Sequence, residues 1–119
     1  MEGYWLTHYD AGAAHGEGIV MLHEGELLGG DPERLWIGTY EEQGPRVYAR
    51  MRIVPRVTRL EKGMMAREKP MILSLEGHCT DHYARLEGHP DGREELPFQV
   101  TMRKCRASHA AEVLINRAA

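Results

Sequence analysis

The stretch GEGIVMLHEGELLGGDPERLWIGTY, residues 16–40, decides the fold. Its apolar run at residues 19–22 is typical of a β-strand, and the Glu-Gly pair at residues 24–25 stands where a two-residue hairpin turn belongs. Glycine at the second turn position suits the positive φ angle that such turns require. The Gly-Gly-Asp-Pro sequence at residues 29–32 permits a sharp bend and then ends the pairing, because proline cannot donate a hydrogen bond to a neighbouring strand. Aromatic and β-branched residues at 36–40 predict a further strand.

The same alternation of apolar and polar residues continues on both sides of this stretch. It is cleanest where Val47, Ala49, Met51 and Ile53 alternate with arginine and tyrosine, which predicts a strand with these four side chains facing inward. Similar patterns predict strands near residues 3–10, 71–78, 82–88 and 98–103, separated by loops or turns that include residues 11–15, 41–45 and 89–92.

About eight short strands joined by tight turns indicate an all-β protein whose sequence neighbours pair antiparallel, as an up-and-down barrel or a flattened barrel. Closure of the barrel is favoured because it removes exposed strand edges. Residues 1–119 are predicted to form one domain. Within it, residues 57–60 fit a strand extension and residues 60–68 fit a helical turn, so the segment 55–70 stays ambiguous. The alanine-rich residues 106–119 predict a short helix or a loosely attached tail.

The composition of the chain limits the partners and the cellular location to be expected. The chain has 119 residues, a formal net charge of −3 and 42% hydrophobic residues, which favours neither nucleic acid nor a membrane as a partner. The N-terminal residues lack the basic and apolar regions of a signal peptide, and no apolar stretch approaches the ~20 residues that span a bilayer. Two cysteines without metal-type spacing are expected to be reduced thiols. These features predict a cytoplasmic protein.

Short motifs with a characteristic order run from about residue 2 to residue 105. They are Gly3-Tyr4-Trp5, Gly16-x-Gly18-Ile19, His23-Glu24-Gly25, Gly29-Gly30-Asp31, Ile37-Gly38-Thr39-Tyr40, Leu73-Ser74-Leu75-Glu76-Gly77, Leu86-Glu87-Gly88 and Phe98-x-Val100-x-Met102. Together they resemble the GrlR family, small barrel proteins named after a negative regulator of type III secretion genes. The resemblance implies a lipocalin-like barrel with an apolar interior.

The resemblance also implies a function and partners. The founding member acts as a dimer that sequesters a transcriptional activator, and it uses a run of four alternating acidic residues to bind its partner. The corresponding turn here is Glu41-Glu42-Gln43-Gly44, with two acids. Glu41, Glu42 and Gln43 are therefore the predicted contacts with a protein partner such as a transcriptional regulator. The alternative is a solvated hairpin tip that is acidic only for solubility.

A homodimer is the predicted assembly. It follows from the resemblance and from Tyr4, Tyr48 and Tyr83, which fall on predicted outer faces, since tyrosine is enriched at protein interfaces.

The interior of an eight-stranded barrel can be filled by side chains or can hold one small ligand. Small residues on the predicted inward faces, opposite large ones, fit either state. In the filled state they let the large side chains interdigitate; in the hollow state methionine helps to line a cavity for a small apolar ligand. The predicted pocket consists of Trp5, Trp36, Ala49, Met51, Leu75, Ala84, Phe98 and Met102.

No catalytic constellation or cofactor-binding motif stands out in the sequence. His78, Cys79, Asp81 and His82 resemble metal ligands, but alternation along a strand would separate them, and zinc needs three or four convergent ligands. We therefore expect surface histidines and no metal or cofactor. The arginines of residues 46–52 form a basic strand face with Tyr48, which is interpreted as a solvated outer face.

The sequence thus favours a non-enzymatic regulatory module that binds proteins. The alternative is a lipocalin-like carrier or sensor of a small apolar molecule, and a weaker one is an enzyme that uses the mouth of the barrel.

Overall fold

A computed structural model of the chain describes residues 1–12, 14–56 and 70–118. These described residues form eight strands and one helix. The elements are β1 (Gly3–Ala11), β2 (Ala14–His23), β3 (Glu26–Gly30), β4 (Arg34–Gln43), β5 (Arg46–Pro55), β6 (Met71–Cys79), β7 (Tyr83–Pro90), β8 (Phe98–Cys105) and α1 (Ala107–Ala118).

The strands form one closed barrel in which each strand pairs antiparallel with its sequence neighbours. The last strand returns to the first, with Tyr4 opposite Cys105 and Asp10 opposite Gln99. The predicted all-β, up-and-down barrel is therefore confirmed. The connections at residues 24–25, 44–45 and 80–82 lie at one end of the barrel, here called the turn end. Those at residues 31–33 and 91–97 lie at the other, the loop end.

The hairpin between β2 and β3 turns within two residues. Glu24 has a φ of 47° and Gly25 a φ of 81°, which is the pair of positive angles of a type I′ turn. The strands leave this turn with His23 opposite Glu26. The hairpin within residues 16–40 thus folds as predicted.

Alternation in β5 places one face inside the barrel. Val47, Ala49 and Met51 are buried, Ile53 packs against the core, and Arg50 is exposed. The predicted inward direction of these four residues is confirmed.

Three predicted connections are wrong in their bounds. Residues 41–43 continue β4, and Gln43 still pairs with Arg46, so only Gly44 and Pro45 form the turn. Ala11 and Ala14 pair with each other as the last residues of β1 and β2. Residues 89–90 belong to β7, since their partners on β6 are Ser74 and Leu73. In each case ladder hydrogen bonds extend the strands through residues whose composition is typical of turns.

Two glycines on the inward face mark points where neighbouring strands approach closely. A Cβ atom on Gly38 would lie 2.1 Å from the carbonyl oxygen of Arg50, and one on Gly77 would lie 1.8 Å from that of Arg85. At these points the backbone of the neighbouring strand approaches too closely for any side chain. Such glycines allow the strong curvature of a small barrel.

Helix α1 lies against the outside of β1 and β2. Ala110 is only 1% exposed, and Ile19, which points outward next to the inward-facing Val20, is 4% exposed. The predicted C-terminal helix is confirmed, and Ala110 attaches it to the barrel. The predictions of a strand extension at 57–60 and a helical turn at 60–68 lie outside the described residues. Among the helices of the described part, none has the length and apolar character to cross a membrane.

Candidate functional site: a cavity at the loop end

A cavity of about 250 Å³ occupies the loop-end half of the barrel. Its walls are mostly the inward-facing apolar side chains of the strands that meet there. The described residues that line it are Thr7, Tyr9, Ala11, Ala14, Arg34, Trp36, Met51, Ile53, Met71, Leu73, Leu96, Phe98 and Val100.

Three aromatic rings meet in the wall of this cavity. The ring of Tyr9 lies edge-on to that of Trp36, with 5.9 Å between centroids, and is stacked with that of Phe98 at 6.3 Å. Glycines on β2 make room for two of them. A Cβ atom on Gly16 would lie 2.7 Å from the Tyr9 hydroxyl, and one on Gly18 would lie 2.7 Å from the Trp36 ring. The Gly-x-Gly motif of β2 thus sets where the aromatic rings lie.

The eight residues of the predicted pocket are all buried, but they divide between two halves of the barrel. Trp36, Met51 and Phe98 line the cavity. The other five pack in the core without appearing among the described lining residues: Trp5, Ala49, Leu75, Ala84 and Met102. The part of the barrel interior around these five packed residues is here called the filled half.

Other lining residues were missed although the sequence contained the signal for most of them. Thr7, Tyr9, Ile53, Leu73 and Val100 lie on strand faces that alternation had already directed inward. Alternation alone does not separate them from the inward-facing residues of the filled half.

Few of the described residues that line the cavity carry polar side chains. The Thr7 hydroxyl donates to the Trp5 carbonyl at 3.2 Å, so its proton is already in use. Burial raises the pKa of Tyr9, the nearby charge of Asp31 adds to this rise, and the Arg34 cation opposes it. The Tyr9 ring therefore lies between the apolar interior and the charged residues of the rim.

The charged groups of that rim bond to one another. Arg34 pairs with Glu33 at 3.3 Å. The Asp31 carboxylate accepts hydrogen bonds from the backbone N–H groups of Glu33 at 2.8 Å and Arg34 at 2.7 Å. Arg56 donates from Nε to the Asp31 carbonyl at 2.8 Å. Among the described residues of the rim, acidic and basic groups are therefore balanced.

Polar contacts close the turn end. The Glu2 carboxylate accepts hydrogen bonds from the Tyr40 hydroxyl and the Glu24 N–H group and contacts Nδ1 of His23, each at 2.8 Å. Burial, followed by the hydrogen bond to Glu2, raises the pKa of Tyr40 to about 12. The hydrogen bond from the Tyr40 hydroxyl, and after it those from the Glu24 N–H group and His23, lower the pKa of Glu2. Trp5 Nε1 donates to the Met1 carbonyl at 3.0 Å, which ties the N-terminal residues to the filled half.

The predicted partner contacts do not form one surface. They follow one another along β4, so alternation directs Glu42 to the side opposite Glu41 and Gln43. Glu42 contacts the Met1 ammonium group, while Gln43 Nε2 donates to Glu41 at 3.4 Å. All three remain exposed, but as a strand end and not as a projecting turn.

The histidine-rich segment after β6 does not gather ligands either. Cys79 belongs to β6 and packs against the core, whereas His78 and His82 are exposed. Within residues 1–12, 14–56 and 70–118, no three His, Cys, Asp or Glu side chains converge as a metal site would require.

The outer face of the barrel carries an apolar row that the sequence analysis did not identify. Met21, Leu28 and Ile37 stand directly opposite one another on β2, β3 and β4. Met21 is 37% exposed and Leu28 47%. Exposed apolar side chains in contact with each other commonly mark an interaction surface.

No protein-family model matches this chain, and no curated protein is similar enough to it to count as a match.

Proposed function

We propose that this chain is a non-enzymatic binding barrel that takes a small apolar ligand into its loop-end half, in the cytoplasm. The observation that carries the proposal is the apolar cavity between Tyr9, Trp36, Met51, Leu73 and Phe98. Ligand pockets are mainly apolar concave sites with a few polar groups, and the mouths of β-barrels are a common place for them.

The two tryptophans provide the test. Trp36 lines the cavity and Trp5 lies in the filled half. Toluene and 1-octanol serve as an aromatic and an aliphatic probe. Either probe is expected to change the fluorescence of a Trp5→Phe variant, in which only Trp36 reports, and to leave that of a Trp36→Phe variant unchanged.

A blocking variant makes the test specific. Ala14 is exposed and lines the cavity, so Ala14→Phe places a ring in the mouth. It should abolish probe binding, whereas Ala107→Phe on the exposed start of α1 should not. Equal responses of Trp5 and Trp36, or binding that survives Ala14→Phe, would contradict the proposal.

The second candidate is the regulatory protein-binding module that the resemblance implies. It is favoured by the row of Met21, Leu28 and Ile37, which offers an apolar surface for a second copy of the chain. In this proposal the homodimer then binds a transcriptional regulator.

Light scattering tests the assembly. The wild-type chain should give the mass of a dimer at micromolar concentration, and Leu28→Asp should give that of a monomer. Gln99→Asp, on the exposed outer face of β8 and away from this row, is the control. A wild-type monomer would contradict the homodimer.

A further inference from the structure

We propose that the cavity selects a compact, neutral ligand of one or two fused aromatic rings with one hydrogen-bond acceptor, which the Tyr9 hydroxyl engages. This inference rests on the proposed ligand-binding function and names the chemical class of the ligand.

The volume limits the size of the ligand. A protein cavity of about 150 Å³ accommodates benzene, and pockets for drug-sized molecules begin near ~300 Å³. The cavity of about 250 Å³ lies between these values. It therefore matches roughly two fused rings.

The wall favours aromatic ligands over aliphatic ones of equal size. Tyr9 and Phe98 are stacked while Trp36 meets Tyr9 edge-on, so the rings offer both faces and edges, the two surfaces against which another ring packs. Met51 and Met71 add thioethers, which adapt in shape and contact ring edges favourably.

The polar groups favour a neutral acceptor. The Thr7 proton is committed to the Trp5 carbonyl. Among the hydrogen bonds of the described residues, none uses the Tyr9 hydroxyl, so it can donate to a ligand. At the rim Arg34 is paired with Glu33 and Arg56 bonds to the Asp31 carbonyl. A ligand carboxylate would have to compete with these contacts, whereas a neutral acceptor would not.

Three probes of similar size test the proposal: quinoline, naphthalene and decanoate. Quinoline is neutral near pH 7 and differs from naphthalene by one ring nitrogen that accepts a hydrogen bond. Binding is measured by titration calorimetry for the wild-type chain, for Tyr9→Phe and for Tyr48→Phe, which alters an outer tyrosine.

Quinoline should bind more tightly than naphthalene, and both more tightly than decanoate. Tyr9→Phe should weaken quinoline binding roughly 2- to 13-fold, the worth of one hydrogen bond, and leave naphthalene unaffected. Tyr48→Phe should change neither. Because the Tyr9 hydroxyl makes no bond within the described structure, its loss should not disturb folding, which a melting curve verifies.

The failures are distinguishable. Equal effects of Tyr9→Phe on quinoline and naphthalene would overturn the role of the hydroxyl. Preferential binding of decanoate would overturn the ligand class while leaving the ligand-binding function in place. If none of these probes, nor toluene or 1-octanol, binds, the proposed function fails as well.

Discussion

Replacing Gly38 with alanine tests the close approach of β4 and β5, which shapes the barrel. The added Cβ atom would lie 2.1 Å from the Arg50 carbonyl oxygen and 2.6 Å from the Met51 Cα atom, against an ordinary contact of 3.4–4 Å. Both atoms are backbone, so the strands themselves must separate. Overpacking of this kind costs about 1–3 kcal/mol, and the lower entropy of the unfolded alanine chain offsets about 0.4–1 kcal/mol of it.

We therefore expect the free energy of unfolding to fall by about 1–2 kcal/mol, equivalent to a Tm lower by roughly 3–10 °C for a domain of this length. Urea titration and thermal melts followed by circular dichroism measure both quantities. Gly44 provides the control, because its φ of 64° is positive but nothing lies within 4 Å of an added Cβ atom.

The two sites should respond differently to asparagine. Gly44→Ala should cost about 1 kcal/mol because of its backbone conformation alone, and Gly44→Asn should recover most of that loss, since asparagine tolerates positive φ. Gly38→Asn should be no more stable than Gly38→Ala. A Gly38→Ala chain as stable as wild type would refute the steric argument.

Three further substitutions probe other parts of the barrel. Trp5→Ala should lower the free energy of unfolding by about 3–5 kcal/mol in urea titrations, because a fully buried ring is lost from the filled half; a loss below 1 kcal/mol would contradict that packing. Since the folded-state pKa of Tyr40 is raised to about 12 from 10.0, its contribution to stability is complete below pH 10 and is lost as pH rises through 12. The stability difference between wild type and Tyr40→Phe should accordingly shrink over that range, and a constant difference would argue against the raised pKa. Ala110→Asp should expose the face of β1 and β2 under α1 and lower the Tm. Unchanged hydrogen-exchange protection of that face would contradict this prediction.

The barrel could be predicted from sequence because its main signal is local. Each strand alternates between a buried and an exposed face. The inward direction of Val47 and Met51 could therefore be predicted without knowing which strands pair with theirs. Strand ends are harder to predict. Ladder pairing continued through Glu41 to Gln43 although acidic residues are uncommon in strands, because hydrogen bonds to the neighbouring strand outweigh that weak preference.

The position of the cavity could not be predicted in the same way. Trp5 and Trp36 both point inward, but one helps to fill the interior and the other borders a void. The difference depends on the stagger of the strands and on where the rings of Tyr9 and Trp36 find space over Gly16 and Gly18. Alternation specifies a face of the sheet; it carries no information on height along the barrel axis.

The pairing of β1 with β8 has a consequence for how the chain folds during synthesis. Tyr4 meets Cys105, so the contact that completes the barrel joins segments about as far apart in sequence as the chain allows. During synthesis β1 must wait, with one edge unpaired, until β8 has left the ribosome. Contacts of such long sequence separation slow folding, and unpaired edges invite association between nascent chains. The interval before closure is thus the period in which the unpaired edges of this chain are most open to association.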